Sequence, residues 1–569
     1  MSIFQVSPGV EIRERDLTNV VPAVSTSIGA IAGGFTWGPV KEVVTVASEK
    51  QLVDEFGRPT DLSFKHFMPA AQYLQYSNFL RVVRAEVAGQ INATPGDTGL
   101  LIRNMDDFQN TAFAAGEEFV AKYPGELGNS IAVKVVTSEA AYNSSDFADP
   151  GYRRLFGFAP TTTEFGEAAG IVDDEMHVVV YDSLGRWTGT PGEVLETFVG
   201  VSQARDAKKA DGTTNFYKNV INRTSKYVWV GSFPSELTHA GLVSTDENIP
   251  LESNGRTYAT STDVLSYVFV GGDDAGVEPS LGELKSAYDL FADAETLDIS
   301  YLIGQESSND AELANYLIGI AQDRRDTVAF VSPNVSRTVV TNTPVVDILE
   351  WANQVTSSSY GVMDSTALYV YDKYNDVFRY IIASGSVAGL CARTDFTDDP
   401  WFSPAGLNRG VLRGVTRIAF NPNKTQRDEL YSARVNPIVA FPGEGVVLFG
   451  DKTALARPSA FDRINVRRLF IILQKAISTA ARFQLFEFND EFTRAQFRNL
   501  VEPFLRNVRG RRGLTDFNVV CDATNNTPEI IDTNRFVGDI YIKPNRSINF
   551  ITLNFIAVRS GVEFSEIAG

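Results

Sequence analysis

The chain has 569 residues, 44% of them hydrophobic, which is enough apolar material for two to four domains rather than a single core. Its two cysteines, Cys391 and Cys521, exclude a disulfide scaffold and favour folding in a reducing cytoplasm. The N-terminus lacks a signal-peptide pattern, and no uninterrupted apolar stretch approaches 18 residues. We therefore expect neither export by a signal peptide nor stable insertion in a membrane.

The net charge of −19 is unevenly distributed along the chain. Residues 401–569 contain 23 Lys and Arg against 16 Asp and Glu, whereas residues 1–400 contain 28 against 54. This distribution argues against direct nucleic-acid binding and indicates that the basic C-terminal part touches something acidic. An uneven solvated surface would give the same pattern.

The N-terminal quarter predicts an arm followed by an α/β region. Residues 1–22 are polar, with a short alternating run at Val10 and Ile12, and have too little apolar content to fold alone. Strands are predicted in "SIGAIAGGFTWGPV" and "FLRVVRAE", and helices in "SEKQLVDEFG", closed by Gly57, and "FKHFMPAAQYLQYS". Residues 88–118 are polar without periodicity and predict a surface excursion, after which "YPGELGNSIAVKVV" returns to a strand.

The middle of the chain has the clearest α/β pattern. Residues 295–304 and 327–333 predict strands, and 309–326 predict a helix with Asn309 or Asp310 as its N-cap. This order is a βαβ unit, so a parallel or mixed sheet with covering helices is expected.

The longest helical pattern is "FDRINVRRLFIILQKAISTAARF" at 461–483, with Asp462 as a plausible N-cap. One face is apolar, formed by Leu469, Ile472, Leu473, Ala476, Ile477 and Ala480. Another face has basic residues available, namely Arg467, Arg468, Lys475 and Arg482.

No motif predicts a bound nucleotide. In "GVVLFGDKTA" Asp451 separates Gly450 from Lys452, and apolar residues replace the flexible glycines that a phosphate cradle needs, so we expect a strand there. In "GEGVVL" Leu448 stands where a dinucleotide fingerprint needs its third glycine.

Catalytic and metal-binding patterns are also missing. His66, His177 and His239 are widely separated and have no partner at metal-ligand spacing, so we interpret them as structural or surface residues. The acidic "GGDDAG" at 271–276 lacks the spacing of a calcium loop and predicts a turn before a helix. Cys391 lies in a small, apolar sequence and is expected to be a buried, inert thiol. We predict no catalytic site, cofactor or metal; an α/β enzyme with an unrecognised site is the less favoured alternative.

The chain ends in a strand pattern at 548–558 with two patterned sides; Ile551, Leu553 and Phe555 lie on one of them. Chain ends fray unless something holds them. We therefore expect this strand, and the N-terminal arm around Val10 and Ile12, to pair with neighbouring molecules. The alternative is that 548–558 closes the sheet of its own domain.

Several long motifs resemble the tail sheath proteins of contractile bacteriophages, of the T-even-like myophage type. In the C-terminal third these are "YDKYNDVFRY", "VAGLCARTD", "WFSPAGLNRG", "VLFGDKTALARPSAFDRINVRRLF", "VVCDATNNTPEIIDTNRF" and "YIKPNRSINFITLNFIA". Near the N-terminus "SPGVEIRE", "AGGFTWGPV", "LRVVRA" and "YPGELGN" resemble the same family. The resemblance is dense after about residue 370 and sparse between 135 and 290.

The resemblance implies a structural subunit without cofactors. Its family stacks as six-fold rings around a tail tube, assembles on a baseplate in the host cytoplasm, and contracts to drive the tube through the host envelope. Expected partners are further copies of the chain, the tube protein, baseplate proteins and neck or tail terminator proteins. The sheath of a phage-tail-like bacteriocin or of a type VI-like injection system is the alternative.

The resemblance also implies α/β and α+β domains with mixed sheets, and arms that add strands to neighbouring subunits. The expected parts are an N-terminal arm (1–22), a middle α/β domain (23–87 and 121–385), a reduced insertion (88–120), an inner C-terminal domain (386–546) and a C-terminal strand and arm (547–569). The insertion is much larger in T-even sheaths.

The inner domain is the part expected next to the tube. We hypothesise that some of Arg463, Arg467, Arg468 and Lys475 face the tube, where weak charge pairs would fix register yet slide on contraction. The alternative is that these residues form salt bridges within or between sheath subunits.

Overall fold

A computed structural model describes residues 27–114, 116–148, 151–232, 257–258 and 260–549. Within these ranges the chain forms two compact units. The larger unit comprises the described residues of 27–397 together with 404–457, and the C-terminal unit comprises 398–403 and 458–549. The predicted arm residues Val10 and Ile12, the strand residues Ile551, Leu553 and Phe555, and His239 lie outside the described residues.

The first strands are β1 Gly29–Gly33, β2 Val43–Val46, β3 Leu80–Arg84, β4 Phe119–Ala121, β5 Ile131–Val136, β6 Glu175–Asp182, β7 Glu193–Ser202, β8 Val228–Val230, β9 Leu265–Val268 and β10 Tyr301–Ile303. They are followed by β11 Val328–Val331, β12 Gly361–Asp364, β13 Leu368–Asp372, β14 Val377–Ile381, β15 Val415–Ile418, β16 Val435–Asn436, β17 Ile438–Phe441, β18 Gly445–Leu448, β19 Leu514–Val520 and β20 Asp539–Pro544.

The first helices are α1 Glu49–Phe56, α2 Phe64–Leu74, α3 Met105–Asn110, α4 Glu139–Asn143, α5 Ser145–Ala148, α6 Glu164–Ala169, α7 Tyr217–Thr224 and α8 Leu281–Tyr288. They are followed by α9 Asp310–Arg324, α10 Ser336–Val339, α11 Pro344–Gln354, α12 Ser384–Thr397, α13 Lys424–Ser432, α14 Ile464–Ala481, α15 Glu491–Gly510 and α16 Pro528–Asp532.

A seven-stranded sheet forms the centre of the larger unit, in the order β16-β12-β11-β10-β1-β3-β2. Every neighbouring pair is parallel except β2 and β3. Buried residues of α8, α9 and α11 pack with those of the sheet in one apolar core. Parallel strands with covering helices are what the βαβ pattern predicted.

The predicted βαβ unit is confirmed, although its first strand is shorter than expected. The Asn309 side chain accepts from the backbone N–H of Glu312 and caps α9, and β10 and β11 pair in parallel. Only Tyr301–Ile303 of the predicted strand is extended into the sheet. Before it, the carboxylate of Asp293 accepts hydrogen bonds from the Glu295 N–H and the Thr296 hydroxyl, which holds a turn in place of the strand.

The segment 88–118 contains buried side chains, although its polar composition predicted a surface excursion. The side chain of Asn92 is buried; its amide donates to the carbonyls of Ile102 (3.1 Å) and Ala121 (2.9 Å), and its oxygen accepts from the Ile102 N–H. Ile102 packs with Val120 and Trp229. Because one asparagine supplies hydrogen bonds that a strand partner would otherwise supply, a segment without periodicity is held against the strand pair β4–β8.

The C-terminal unit is built from α14, α15, α16 and the hairpin β19–β20. Its core contains the predicted residues Leu469, Leu473 and Ile477, together with Phe497 and Val501 of α15. The predicted N-cap Asp462 is wrong by one residue, because α14 begins at Ile464 after Arg463.

The predicted helix faces also shift. Ile471 is buried where Ile472 was expected, and Arg467 and Arg468 are buried as well. The long helix thus has fewer exposed charges than its sequence suggested.

Candidate functional site

Polar side chains meet where four neighbouring strands of the large sheet end. Asp364 and Asn436 are the last residues of β12 and β16 and are paired in register. Ser332 lies directly after β11, and its hydroxyl donates a hydrogen bond to the side chain of Asp364. Gln305 follows β10. In open α/β sheets ligands bind at the carboxyl ends of parallel strands, so this polar row is the place to test for a catalytic or ligand site.

The row is closed to substrate. Gln305, Ser332, Asp364 and Asn436 are all buried. Helix α12 begins at this edge, where the Ser384 hydroxyl donates to the carbonyl of Gly304 (2.8 Å), and it packs against β10, β11 and α2. At Gly385 the backbones of α12 and α2 approach so closely that a Cβ would lie 2.1 Å from the carbonyl oxygen of Pro69. The helix therefore occupies the position that a ligand has in α/β enzymes.

His66 lies beside this row, because its backbone carbonyl accepts from the Gln305 amide (3.1 Å). The ring packs on Gly33 of β1, where a Cβ would lie 2.9 Å from the Cβ of His66. Neither ring nitrogen has a hydrogen-bond partner in the described part of the chain. Complete burial lowers the pKa of His66 to about 3, with a further lowering from the charge of Lys65.

Asp364 shows the opposite effect of burial. Desolvation raises the pKa of Asp364 to about 7, although the Ser332 hydroxyl and the Thr366 backbone N–H act to lower it. A neutral carboxyl group and a neutral imidazole are the forms that an apolar interior favours at moderate pH. The arrangement holds two uncharged polar groups inside the fold, without a nucleophile open to solvent.

The other sequence candidates for chemistry are also buried. His177 accepts from the Gly200 N–H at Nδ1 (3.0 Å) and contacts the Phe158 carbonyl at Nε2 (3.0 Å). Cys391 and Cys521 are buried and form no disulfide in the described part of the chain. Among the described residues no three His, Cys, Asp or Glu side chains are grouped as metal ligands, and no described helix is long and apolar enough to span a bilayer.

The basic residues predicted to face a partner lie in two environments. Arg467 and Arg468 are only 5% and 3% exposed, and the Arg467 guanidinium lies 4.1 Å from the centre of the Phe461 ring. Arg463 and Lys475 are partly exposed, and Arg463 Nε lies 3.7 Å from the carboxylate of Asp462. Facing a partner stays a prediction for all four; burial favours the alternative of pairing within or between subunits for Arg467 and Arg468.

The hairpin β19–β20 leads directly to the predicted C-terminal strand. Its strands pair from Val520 with Asp539 to Leu514 with Pro544, with a register shift after Leu514. Within the part of the chain that the structure describes, neither strand has a second neighbour. Open edges of this kind are templates for a strand from another chain.

The segment between α14 and α15 exposes a cluster that the sequence analysis missed. Five large apolar side chains are at least 64% exposed: Phe483, Leu485, Phe486, Phe488 and Phe492. Phe486 has φ of +70°, a left-handed conformation that is rare for a bulky residue. The signal was present in "RFQLFEFNDEF", where five large apolar residues alternate with polar ones without helical spacing. We call residues 483–492 the apolar loop.

A cavity of about 290 Å³ lies at the other end of α14. Its walls are formed by Ala460, Asp462, Arg463 and Val466 around the helix N-terminus and by Arg546, Ser547, Ile548 and Asn549 after β20. We call it the Arg463–Arg546 cavity.

Comparison with known protein families follows the same division of the chain. Residues 285–454 match the phage tail sheath protein central domain, and residues 456–557 match the phage tail sheath C-terminal domain. Residues 26–85 match the tail sheath protein Gp18 domain III N-terminal region.

Two relatives match almost the whole chain. The tail sheath protein of Vibrio phage KVP40 is 33% identical over 99% of this chain and 100% of its own length. The tail sheath protein of Enterobacteria phage T4 is 31% identical over 99% of both chains. The chain belongs to the phage tail sheath protein family. The predicted resemblance is therefore confirmed.

The sheath protein is shorter than these relatives. The alignments extend over 677 and 667 positions against its 569 residues, so both relatives contain residues that it lacks. The contracted helical sheath of the anti-feeding prophage has the same fold, with a TM-score of 0.50, 14% identity, and coverage of 97% of this chain and 99% of that one. The predicted mixed α/β fold class is confirmed.

Proposed function

We propose that the chain is the repeating subunit of a contractile bacteriophage tail sheath. Copies polymerise as stacked six-fold rings around the tail tube, and contraction drives the tube through the host envelope. The observation that carries this proposal is the identity of 31–33% with two phage tail sheath proteins over 99% of the chain. A relationship of that extent includes the arms as well as the cores.

In this proposal the chain is not an enzyme and binds no cofactor. The work comes from the free-energy difference between two packings of the same subunit, which needs no bond-breaking step. Closure of the polar row by α12 supports this interpretation, because the position that binds ligands in α/β enzymes is filled by the chain itself. The tube protein, baseplate proteins and neck or tail terminator proteins are the partners, and the protein assembles in the host cytoplasm into the virion tail.

The subunits are linked by exchanged strands. The strand at 548–558, with Ile551, Leu553 and Phe555, extends a sheet in a neighbouring subunit, and the N-terminal arm around Val10 and Ile12 does the same. In the described part of the chain the outer edges of β19–β20 are unpaired, which supports this proposal because a two-stranded hairpin gains stability from added strands. Extended links tolerate rotation and sliding better than broad rigid faces do.

Negative-stain microscopy of the purified full-length chain tests the proposal. Rings or tubes that grow with protein concentration are expected, and addition of the cognate tube protein should give polymers of uniform diameter. A chain that stays monomeric over a wide range of concentration and salt, with and without tube protein, would contradict a sheath function.

The sheath of a related injection device is the second candidate. The fold shared with the anti-feeding prophage sheath is the observation that favours this candidate. Both candidates polymerise, so microscopy of the chain alone does not separate them. Genes for a capsid beside the sheath gene would support a phage, and their consistent absence would support a bacteriocin-like or type VI-like device.

A further inference from the structure

We propose that Phe486 of the apolar loop docks into the Arg463–Arg546 cavity of a second copy of this chain. This inference rests on the proposed function, because it assigns one head-to-tail contact of the sheath polymer. Both surfaces belong to the C-terminal unit.

The apolar loop has the properties of a surface that another protein covers. Scattered apolar side chains are ordinary on a protein surface, whereas here five highly exposed ones are concentrated within ten residues. Phe486 is fully exposed at the centre of the loop and has a left-handed backbone that costs free energy in the isolated chain. An exposed ring held in a strained conformation is explained if a partner binds that ring.

The cavity fits an aromatic side chain. Its volume of about 290 Å³ lies at the lower limit of small-molecule sites, so one or two side chains fill it better than a cofactor would. Val466 and Ile548 provide apolar wall, and Arg463 and Arg546 line it as well. Guanidinium groups stack on aromatic faces, so a phenylalanine ring suits this lining.

The geometry requires that the ring and the cavity belong to different copies. The cavity lies at the N-terminal end of α14, and the apolar loop follows its C-terminal end. Eighteen helical residues separate the two sites by about 27 Å. A contact between unlike surfaces of identical chains is heterologous, and repeating it gives either a closed ring or a helix. Both outcomes match the polymer of the proposed function.

Charge is complementary across the proposed contact. The apolar loop contains Glu487, Asp490 and Glu491 and no Lys or Arg, whereas the cavity has two arginines against Asp462. Such charges select the orientation of docking and speed association more than they add affinity. The same complementarity argues against insertion of the loop into an acidic partner.

Disulfide trapping in the assembled polymer tests the contact directly. Phe486→Cys combined with Ile548→Cys should give a ladder of covalent multimers on non-reducing gels, because docking brings the two residues within disulfide range. Phe396→Cys with Ile548→Cys is the matched control, since Phe396 is a phenylalanine of the larger unit that is also highly exposed, at 78%. The native cysteines are buried and should give no ladder in the wild-type polymer.

Phe486→Ala and a charge swap test the contribution to assembly. Phe486→Ala should raise the critical concentration for polymerisation about tenfold, as removal of a central aromatic anchor does, with an unchanged melting temperature of the monomer. Glu487→Arg and Arg546→Glu should each weaken assembly, and the two together should restore it.

The outcomes separate this inference from the function on which it rests. A wild-type chain that forms no polymer contradicts the proposed function. A polymerising wild type whose double-cysteine variant gives no ladder, and whose Phe486→Ala variant assembles at the wild-type concentration, overturns the docking alone. A requirement for Phe486 only when tube protein is present would assign the apolar loop to the tube and overturn the inference equally.

Discussion

The two units of the chain differ in which side chains they bury and which they expose. The larger unit buries polar groups beside the central sheet, where burial raises the pKa of Asp364 and lowers the pKa of His66. The C-terminal unit exposes apolar groups, with Phe486 and its neighbours in solvent, and its hairpin β19–β20 has no third strand among the described residues. The larger unit thus hides a polar row inside its fold, whereas the C-terminal unit concentrates exposed apolar side chains in one loop, which is the kind of surface that another chain can cover.

Among the changes proposed, deletion of residues 547–569 should have the largest effect on polymerisation. We expect a soluble monomer that melts cooperatively and no longer polymerises, because the deleted strand is predicted to link subunits and not to build its own domain. Deletion of residues 1–20 should do the same. Sedimentation measures polymerisation, and circular dichroism measures folding.

Limited proteolysis of the same monomers decides between the two placements of the strand. If the C-terminal unit of the 547–569 deletion becomes protease-sensitive and loses its circular dichroism signal, the strand belongs to its own subunit. The linkage proposal then fails for that arm.

The next largest effect is expected from a matched pair of leucine substitutions, one in each unit, which compares stability with polymerisation. Leu317 is fully buried in the core of the larger unit, and Leu317→Ala should lower the free energy of unfolding by about 2–5 kcal/mol. Leu485 is 64% exposed in the apolar loop, and Leu485→Ala should change it by less than about 0.5 kcal/mol while weakening polymerisation. Urea unfolding and sedimentation measure the two effects. Similar losses of stability in both variants would contradict the contrast.

The buried polar groups should oppose each other in the pH dependence of stability. The pKa of Asp364 is raised to about 7, so its contribution to stability falls as pH rises from about 4 to 7. The pKa of His66 is lowered to about 3, so its contribution rises with pH up to about 6.5, its ordinary pKa. Between pH 4 and 6.5 the folded and unfolded chains bind equal numbers of protons at these two sites, and the two effects cancel.

Substitution of either residue alone should reveal the pH dependence of stability that the other residue contributes. Relative to wild type, Asp364→Asn should gain stability with rising pH, and His66→Gln should lose it, by up to about 1.4 kcal/mol per pH unit in this range. Urea unfolding at pH 4.5, 5.5 and 6.5 measures both slopes. Slopes of the same sign in the two variants would show that the groups are not buried as uncharged forms.

The smallest effect is expected at Lys475, a partly exposed basic residue of α14. Lys475→Glu should leave the melting temperature unchanged and weaken assembly on tubes slightly, since an exposed charge pair contributes about 0–1 kcal/mol. Arg467→Glu is the contrasting variant, because it places a carboxylate against the Phe461 ring where a guanidinium now packs. It should lower the melting temperature. Equal loss of stability and assembly at Lys475 would count against a tube-facing role.

The sequence by itself determined the local elements and the family. The cap at Asn309, the helix of residues 310–324 and the parallel pairing of its flanking strands depend on residues close together in the chain, so periodicity and capping predicted them. Long motifs in the C-terminal third identified the sheath family because they record an ancestry that composition and periodicity do not.

Only the tertiary structure decided which polar and apolar groups are hidden. The His66 ring packs on Gly33, and its backbone carbonyl accepts from Gln305, 239 residues away; burial among such distant segments lowers the pKa of the ring. The sequence analysis placed Arg467 on a basic face of the helix, but its guanidinium packs on Phe461, and the exposure of Phe486 was not predicted at all. Burial depends on segments that are distant in the chain, and a pattern within one segment contains no information about what will cover it.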